Sequence, residues 1–322
     1  MKLFVTGAAG FIGSNYVRWL LANSDDAVVA YDALTYAGNL DNLRDLEGER
    51  RLAFVEGDIR DRDAVRSAMA GCDAVVHFAA ESHVDRSIVD PDAFVLTNVQ
   101  GTNVVMDTAR QLELGRVLHV STDEVYGSVE VGSSTEVDPL EPRSPYSASK
   151  AGSDLLALSY GTTYGLDVVL TRASNNYGPF QFPEKVIPLF VTNLLDGAHV
   201  PLYGDGLNVR DWLYVVDHCR GVDLALRRGG RGEIYNIGGG NEITNRELTD
   251  RLISLCGRDE GFVDYVEDRL GHDRRYSVDC SKLRALGWEP ERDFADGLAA
   301  TVEWYRDNRW WWEPLKARAA IG

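Results

Sequence analysis

Three glycines, Gly7, Gly10 and Gly13, stand where a short apolar segment gives way to a helical pattern. The segment before them, Lys2–Thr6, has the composition of a buried strand. Glycines at such a junction allow a tight turn and let the backbone approach a pyrophosphate, which the first N–H groups of the helix then bind. An ordinary glycine-rich turn is the alternative, but the position directly after a strand favours a dinucleotide site. The chain should therefore open with the first βαβ unit of an α/β fold.

The first half of the chain alternates short apolar runs with helical patterns. The runs lack the two-residue alternation of half-exposed strands, as expected of strands covered by helices on both faces. This order predicts an α/β fold with a Rossmann-type, doubly wound parallel sheet. The predicted strands are Lys2–Thr6, Ala27–Tyr31, Leu52–Glu56, Ala74–Phe78, Arg116–Ser121 and Asp167–Arg172. The predicted helices between them include Gly13–Ala22, Asp61–Met69, Val99–Leu112 and Ser147–Tyr164.

The pattern changes after Arg172, where prolines become frequent, and it returns briefly over Asp211–Ile237 with a helix near Val216–Leu226 and a strand near Glu233–Ile237. We therefore predict a dinucleotide-binding domain of residues 1–172 plus about 211–237. The remainder, about 173–210 plus 238–322, should form a smaller mixed α/β substrate-binding domain. Trp310–Trp312 should pack the last helix against the body. The helices expected in this domain lie near Asn245–Cys256, Ser281–Leu286 and Asp293–Asn308.

The chain is strongly acidic, with 50 Asp and Glu against 33 Lys and Arg and a formal charge of −17. Such a surface repels the phosphates of nucleic acids and anionic lipids, so we expect neither as a partner. A phosphate-bearing ligand needs a local group of basic side chains on a protein of this charge.

Its four cysteines lie far apart, without the spacing of a metal site or a redox pair. We expect free thiols, no metal and a cytoplasmic location. The amino terminus enters a strand at once, unlike a signal peptide, and no apolar run reaches membrane-spanning length.

Residues at the ends of the predicted strands fit a dinucleotide. Asp32 ends the second strand, where a carboxylate would bind the adenosine ribose and repel the extra phosphate of NADP, so we predict NAD. A turn-forming Asp is common at strand ends and is the alternative explanation for this residue. Asp58 and Ile59 close the third strand and could reach the adenine. The segment His77-Phe78-Ala79-Ala80 closes the fourth and is small enough to let the dinucleotide backbone pass.

The Gly-x-x-Gly-x-x-Gly spacing resembles that of the short-chain dehydrogenase/reductases. That resemblance implies a Tyr-x-x-x-Lys segment preceded by Ser or Thr, and Thr122, Tyr146 and Lys150 stand in this order. Residues four apart share one helix face, so Lys150 should lie beside Tyr146. A phenol has an ordinary pKa of about 10, which the Lys150 ammonium and the positive nicotinamide ring should lower. An isolated pair of this type is more often a surface helix pair.

Asp123 and Glu124 follow Thr122 at the end of the fifth predicted strand, where open α/β sheets bind ligands. Adjacent carboxylates repel, which raises at least one pKa and suits one acid paired with one base. Neighbours in a strand face opposite sides, so both can reach one substrate only if the chain turns at Asp123. Gly127 favours such a turn, whereas a solvated acidic loop is the alternative.

With Ser121–Gly127 included, the sequence resembles the dTDP-glucose 4,6-dehydratases over nearly its whole length. One matching segment, Arg269–Tyr276, departs from the family's Arg-Pro-Gly-His in having Leu270 in place of Pro. The short stretch between Tyr126 and Tyr146 is similar to that of actinomycete members in secondary metabolism. The other matching segments are Phe78–Ser87, Ser144–Lys150, Asn175–Pro179, Pro183–Pro188, Asn208–Trp212 and Arg269–Tyr276.

The resemblance implies a redox-neutral reaction on a nucleotide sugar. Tyr146 would remove the proton of the 4-hydroxyl while NAD takes hydride from carbon 4. Glu124 would take the carbon-5 proton, Asp123 would protonate the leaving 6-hydroxyl, and the hydride would return to carbon 6. Because the cofactor is regenerated on the enzyme, it should stay tightly bound.

The resemblance also implies a homodimer, formed through the helices near Val99–Leu112 and Ser147–Tyr164. The catalytic set is Thr122, Asp123, Glu124, Tyr146 and Lys150. The cofactor-binding set is Gly7, Gly10, Phe11, Ile12, Gly13, Asp32, Leu34, Thr35, Asp58, Ile59, Phe78, Ala79, Ala80, Ser82, Thr97, Tyr146, Lys150 and Asn176. The substrate-binding set is Ser82, Thr122, Asn175, Glu184, Lys185, Val186, Pro201, Tyr203, Arg210, Asn245, Arg269, His272 and Tyr276.

Other nucleotide-sugar enzymes of this superfamily are the nearest alternatives: a 4-epimerase, a UDP-glucuronate decarboxylase or a GDP-mannose dehydratase. Epimerases usually lack the acidic pair, and decarboxylases usually have Ser at the position of Asp123. An NAD-binding regulator without activity is the alternative from another class, although it would have no need of an activated phenol at Tyr146.

Overall fold

A seven-stranded parallel sheet forms the centre of the computed structural model, which describes residues 1–319. The strands are β1 Lys2–Thr6, β2 Ala27–Asp32, β3 Leu52–Glu56, β4 Ala74–His77, β5 Arg116–Thr122, β6 Val168–Ala173, β7 Asn175–Tyr177, β8 Val200–Tyr203, β9 Val209–Tyr214, β10 Ile234–Ile237, β11 Glu242–Thr244 and β12 Val263–Val266. The central sheet has the order β10-β6-β5-β4-β1-β2-β3, which confirms the predicted doubly wound fold.

The α-helices of the described residues are α1 Phe11–Asn23, α2 Arg62–Met69, α3 Val84–Val89, α4 Pro91–Phe94, α5 Thr102–Gln111, α6 Pro145–Tyr164, α7 Val186–Leu195, α8 Val215–Arg228, α9 Asn245–Leu255, α10 Ser281–Ala285, α11 Phe294–Asp307 and α12 Arg309–Ala319. Of these, α1 and α8 cover one face of the central sheet, and α2, α5 and α6 cover the other. A π-helical segment, Val95–Gly101, runs into α5, so the helix predicted from Val99 begins earlier. Among the described residues no helix is both long and apolar enough to cross a membrane.

Alternate residues of each strand pack against different helices, because successive side chains of a strand point to opposite faces. Leu3 and Val5 of β1 join a core with Leu20 of α1 and Val222 of α8. Phe4, between them, packs in a second core with residues of α2, α5 and α6. The continuous apolar runs in the sequence follow from this burial on both faces.

A buried ion pair fixes α6, the helix that carries Tyr146 and Lys150. Arg172 on β6 donates to Asp154 Oδ2 over 3.0 Å, and both residues are almost fully excluded from solvent. Arg172 also donates to the hydroxyl of Tyr126 over 2.9 Å. Removing one partner of a buried ion pair costs about 3–5 kcal/mol, so this contact strongly favours the observed position of α6.

The second half of the chain adds two small sheets, in the orders β11-β9-β7 and β12-β8. With α7, α9, α11 and α12 they surround a third apolar core, which includes Trp212, Leu248, Val302 and Trp312. The segment of about 211–237, predicted to belong to the first domain, is divided between the two parts. Helix α8 packs on the central sheet and β10 forms the edge of that sheet, whereas β9 belongs to a small sheet. The two-domain division remains a prediction.

Trp311 and Trp312 pack as predicted, buried in the third apolar core with residues of α11. They lie in a further helix, α12, which the sequence did not predict. The sequence suggested a stop near Asn308, but the chain turns there and resumes as helix. Trp310, in contrast, is about half exposed.

Candidate active site

The glycine loop lies at the carboxyl edge of the central sheet, between β1 and α1. Gly7 has φ +66°, and a Cβ there would lie 2.7 Å from the backbone nitrogen of Ala79 behind β4. A Cβ at Gly13 would lie 2.1 Å from the carbonyl oxygen of Gly7. Both positions therefore require glycine, one for its backbone conformation and close approach to β4, the other for the packing of α1 on the loop.

A cavity of about 410 Å³ opens beside this loop, and we call it the cofactor cavity. The predicted cofactor residues that line it are Gly7, Gly10, Phe11, Ile12, Gly13, Asp32, Thr35, Asp58, Ile59, Phe78, Ala79, Ala80, Ser82, Thr97, Tyr146 and Lys150. The cavity thus runs from the adenosine-binding positions at β2 and β3 to the Tyr-x-x-x-Lys pair, which fits an extended dinucleotide.

Two predicted cofactor residues do not line this cavity. Leu34 is held in a left-handed conformation with φ +49°, its N–H donating to Asp32, and its side chain packs on the first core. Asn176 lines a second cavity instead, and its amide is engaged by the carbonyl of Ser174 and by His218 Nδ1.

Asp32 holds the glycine loop in place. Its carboxylate accepts from the N–H of Ala9 over 2.9 Å and from that of Leu34 over 2.8 Å. Burial raises the pKa of Asp32, while these backbone hydrogen bonds oppose that shift. Each carboxylate oxygen keeps a free lone pair, so Asp32 can brace the loop and still accept a ribose hydroxyl.

Tyr146 and Lys150 are both on α6, one turn apart, and both line the cofactor cavity. The Lys150 ammonium donates to the carbonyl of Val120 over 2.8 Å, and burial lowers its pKa to about 8. Burial and the charge of Glu124 raise the pKa of Tyr146, while a hydrogen bond with Thr122 lowers it. Among the groups of the chain, burial and the nearby carboxylate therefore outweigh Thr122. The expectation that Lys150 and the nicotinamide ring together lower the Tyr146 pKa stays a prediction.

The acidic pair begins a helical turn directly after β5. The strand ends at Thr122, a 3₁₀ turn spans Asp123–Tyr126, and Gly127 follows with φ +76°. The turn that the sequence required is present, and the N–H of Glu124 donates to Thr122 Oγ1 over 3.2 Å. Asp123 and Glu124 therefore lie in the turn, and their side chains do not point to opposite faces of the sheet as neighbouring strand residues do.

The two carboxyl groups differ in their surroundings. Asp123 is buried, and one of its oxygens has no hydrogen-bond partner. Burial raises its pKa well above the usual range, assisted by Glu124 and Asp211. Burial also raises the pKa of Glu124, but Arg269, Lys185 and Arg210 oppose that shift. Both pKa values are raised, that of Asp123 more strongly, so Glu124 is the more readily ionised of the two and Asp123 the better proton donor.

A second cavity of about 190 Å³ begins at Glu124, and we call it the substrate cavity. Ser82, predicted for both ligands, lines the cofactor cavity alone, and Thr122 lines neither cavity. The Thr122 hydroxyl oxygen accepts from the N–H of Glu124, and the hydroxyl also bonds to Tyr146. The predicted substrate residues that line the second cavity are Asn175, Glu184, Lys185, Val186, Pro201, Tyr203, Arg210, Asn245, Arg269, His272 and Tyr276.

Basic side chains are concentrated at the substrate cavity of this acidic protein. Lys185 donates to the carbonyl of Ser82 over 2.6 Å. Arg210 is buried, donates to the carbonyl of Asp273 over 2.9 Å and lies 4.2 Å from the ring centre of Tyr276. Arg269 faces Asp85 at 3.7 Å. These cations provide the local positive charge that a diphosphate requires.

The two cavities share a wall that the sequence reasoning only partly anticipated. Gln181, Glu184 and Lys185 line both, and Gln181 was not predicted. The available signal was its place just after the matched segment Asn175–Pro179. Further lining residues without a prediction include Tyr31, Gly57, Arg60, Glu81 and Phe182 at the cofactor cavity, and His83, Asp85, Leu189, Phe190 and Trp212 at the substrate cavity.

The sequence matches the GDP-mannose 4,6 dehydratase family over residues 4–301. It is 60% identical to a dTDP-glucose 4,6-dehydratase of Streptomyces antibioticus, over 99% of this chain and 97% of the relative. A dTDP-glucose 4,6-dehydratase of Streptomyces venezuelae, crystallised with NAD, is 60% identical with a TM-score of 0.97 and matches 98% of this chain and 100% of its own.

A UDP-glucose 4-epimerase of Thermus thermophilus, also in complex with NAD, has a TM-score of 0.89 but only 34% identity. It matches 96% of this chain and 100% of its own. The fold is thus common to dehydratases and epimerases, whereas sequence identity separates them.

Replacing Asp32 by Ala should weaken NAD binding and relax the discrimination against NADP. The variant loses a charged acceptor for the ribose and the brace on Ala9, and a hydrogen bond to a charged group contributes roughly 1.5–3 kcal/mol, or about 10- to 100-fold in affinity. Titration of both nucleotides, with the exposed Asp25→Ala as control, measures the effect. An unchanged NAD-to-NADP ratio would place the ribose contact elsewhere.

Proposed function

This chain belongs to the family of dTDP-glucose 4,6-dehydratases, and we propose that the acidic pair and Tyr146 divide the proton transfers of that reaction between them. The protein is an NAD-dependent nucleotide-sugar dehydratase that converts dTDP-glucose to dTDP-4-keto-6-deoxyglucose and water. The observation that carries the assignment of roles is the position of Asp123 and Glu124, which turn away from β5 beside Tyr146.

The two cavities suit the two ligands. We assign NAD to the cofactor cavity, held by the glycine loop, Asp32 and Lys150, and the sugar nucleotide to the substrate cavity. There Lys185, Arg210 and Arg269 would neutralise the diphosphate. We also propose the two-domain division given above, with the small sheets and their helices as the part that binds the nucleotide sugar.

Tyr146 is the base for the first proton transfer, from the 4-hydroxyl of glucose. Burial and Glu124 hold its pKa high, so the phenolate needs nearby positive charge. Lys150, with a pKa of about 8, is mainly protonated at neutral pH and supplies part of it. When bound, NAD accepts a hydride from carbon 4 and returns it to carbon 6, and its positively charged ring favours the phenolate.

Asp123 and Glu124 then act on carbons 6 and 5. Oxidation at carbon 4 acidifies the proton on carbon 5, which the ionised Glu124 accepts. Asp123, neutral because of its burial and its charged neighbours, donates its proton to the departing 6-hydroxyl. Asp123 is buried in this turn, which keeps its proton away from bulk water.

Replacing Glu124 by Gln should stall the reaction after the first oxidation, since an amide of almost the same shape cannot accept the carbon-5 proton. Loss of a positioned general base typically slows its step by about 10²–10⁴-fold. Stopped-flow absorbance should show reduced cofactor accumulating on the protein after mixing with dTDP-glucose. Tyr146→Phe, the matched control, should show no reduction. Rapid water elimination by Glu124→Gln would contradict the assigned base.

We further propose that the protein is a cytoplasmic homodimer. On α6 a stripe of small and apolar residues runs through Ala148, Gly152, Leu155 and Ser159; Gly152 is half-buried, and Leu155 is 61% exposed. The adjoining π-helical segment Val95–Gly101 exposes further apolar side chains. Exposed apolar stripes of this kind are typical of protein contacts, and a second copy would cover both at once. Four free cysteines support a reducing compartment.

Light scattering should give the mass of two chains for the wild type and of one chain for Leu155→Glu. In a symmetric contact the substitution would bury an unpaired carboxylate from each of the two chains, which should separate them. Val137→Glu is the control, since Val137 is also exposed but lies in the loop that precedes α6 and not on the proposed contact stripe. A single-chain mass for the wild type, or for both variants, would contradict the proposed contact.

A further inference from the structure

The carboxyl-terminal tryptophan cluster is connected to the glycine loop through one buried side chain. The indole N–H of Trp311 on α12 donates to Asn42 Oδ1 over 2.8 Å. The amide nitrogen of Asn42 donates to the carbonyl of Ala9 over 2.8 Å. Ala9 lies between Gly7 and Gly10 in the loop. Residues more than 260 positions apart are therefore joined by two hydrogen bonds.

The chemistry of these partners fixes the orientation of Asn42. An indole can only donate and a backbone carbonyl can only accept, so the Asn42 amide must present its oxygen to Trp311 and its nitrogen to Ala9. Asn42 is fully buried, and its own carbonyl accepts from Arg18 over 2.6 Å. If the Asn42 amide were reversed, its nitrogen would face the indole N–H of Trp311 and its oxygen would face the carbonyl of Ala9. Neither contact is a hydrogen bond, and each buried group left without a partner costs about 1–3 kcal/mol.

Both backbone groups of Ala9 are consequently held by hydrogen bonds. Its N–H donates to Asp32, and its carbonyl accepts from Asn42 and from the N–H of Asn39 over 3.0 Å. A loop that approaches a pyrophosphate with its backbone depends on the direction of each peptide. The bond from Trp311 through Asn42 thus helps to set the direction of a peptide at the middle of the loop.

The same carboxyl-terminal helices contact the cofactor cavity at a second point. The hydroxyl of Tyr305 on α11 donates to the carbonyl of Gln181 over 2.5 Å, and Gln181 lines both cavities. Next to it, Phe180 is held at φ +67°, an unfavourable conformation for a residue with a side chain. Trp311 packs edge-on against the Phe180 ring, with 5.7 Å between centroids.

We propose that Trp311, acting through Asn42, is a positioning residue of the glycine loop, and that α12 thereby sets how tightly NAD is retained. This inference rests on the binding of NAD in the cofactor cavity. Retention matters to an enzyme that oxidises and reduces its substrate on one cofactor molecule, because a nucleotide lost in mid-cycle leaves a substrate that is oxidised but not reduced.

Trp311→Phe tests the proposal, since Phe keeps an aromatic ring in the core and removes only the N–H donor and part of the bulk. The holoenzyme is loaded with radiolabelled NAD and chased with unlabelled NAD, and the rate of label loss is measured. Loss of the brace should speed NAD dissociation roughly tenfold, the effect of one buried hydrogen bond. The KM for dTDP-glucose at saturating NAD should stay at the wild-type value.

Trp288→Phe is the matched control. Trp288 is equally buried, and its indole N–H donates to the carbonyl of Asp217 over 3.0 Å instead of to a residue that bonds to the loop. It should lower the unfolding midpoint by a similar amount and leave NAD dissociation unchanged. Asn42→Asp is a second test if Trp311→Phe does not fold, because it keeps an acceptor for Trp311 but cannot donate to Ala9.

Equal dissociation rates for wild type and Trp311→Phe, or an equal acceleration by Trp288→Phe, would overturn the proposal. Asn42→Asp with wild-type NAD dissociation would overturn it as well. A wild-type protein that binds no NAD would instead refute the cofactor assignment, so the two failures are distinguishable.

Discussion

The burial of two adjacent carboxyl groups at the end of β5 is the constraint on which the rest of the site depends. Removing carboxylates from water is costly unless they are paired or neutral. Three cations, Lys185, Arg210 and Arg269, oppose the pKa increase of Glu124, while Asp123 lies next to Asp211 and keeps a raised pKa. The stronger increase in the pKa of Asp123 therefore follows from where the charged residues stand, and the pair supplies a better acid and a better base within one turn of chain.

The same cations resolve a conflict between the protein and its substrate. A chain with a formal charge of −17 repels a nucleotide diphosphate at long range. Inside the substrate cavity the sign is reversed, because Lys185, Arg210 and Arg269 converge there. These side chains thus have two effects, attraction of the diphosphate and stabilisation of ionised Glu124. The proton chemistry of the acidic pair is consequently coupled to occupation of the nucleotide site.

Much of this could be predicted from the sequence, because the relevant signals are local. Strand–helix alternation gave the sheet, and the glycine spacing, Asp32 and the Tyr146–Lys150 pair indicated the cofactor cavity. The raised pKa of Tyr146 could not be predicted, since it depends on burial and on the distance to Glu124. The role of Asn42 was equally hidden, because both of its partners are distant in sequence. Helix α12 was missed where the chain turns at Asn308 and resumes.

The fate of one hydrogen atom tests the dehydratase assignment most directly. dTDP-glucose carrying deuterium on carbon 4 is incubated with the holoenzyme, and the product is analysed by NMR and mass spectrometry. If Tyr146, Glu124 and Asp123 act as described, the deuterium moves to carbon 6 of the 4-keto-6-deoxy product, and no reduced cofactor is released. Deuterium found still on carbon 4, as a 4-epimerase would leave it, or exchanged into solvent, would contradict the account.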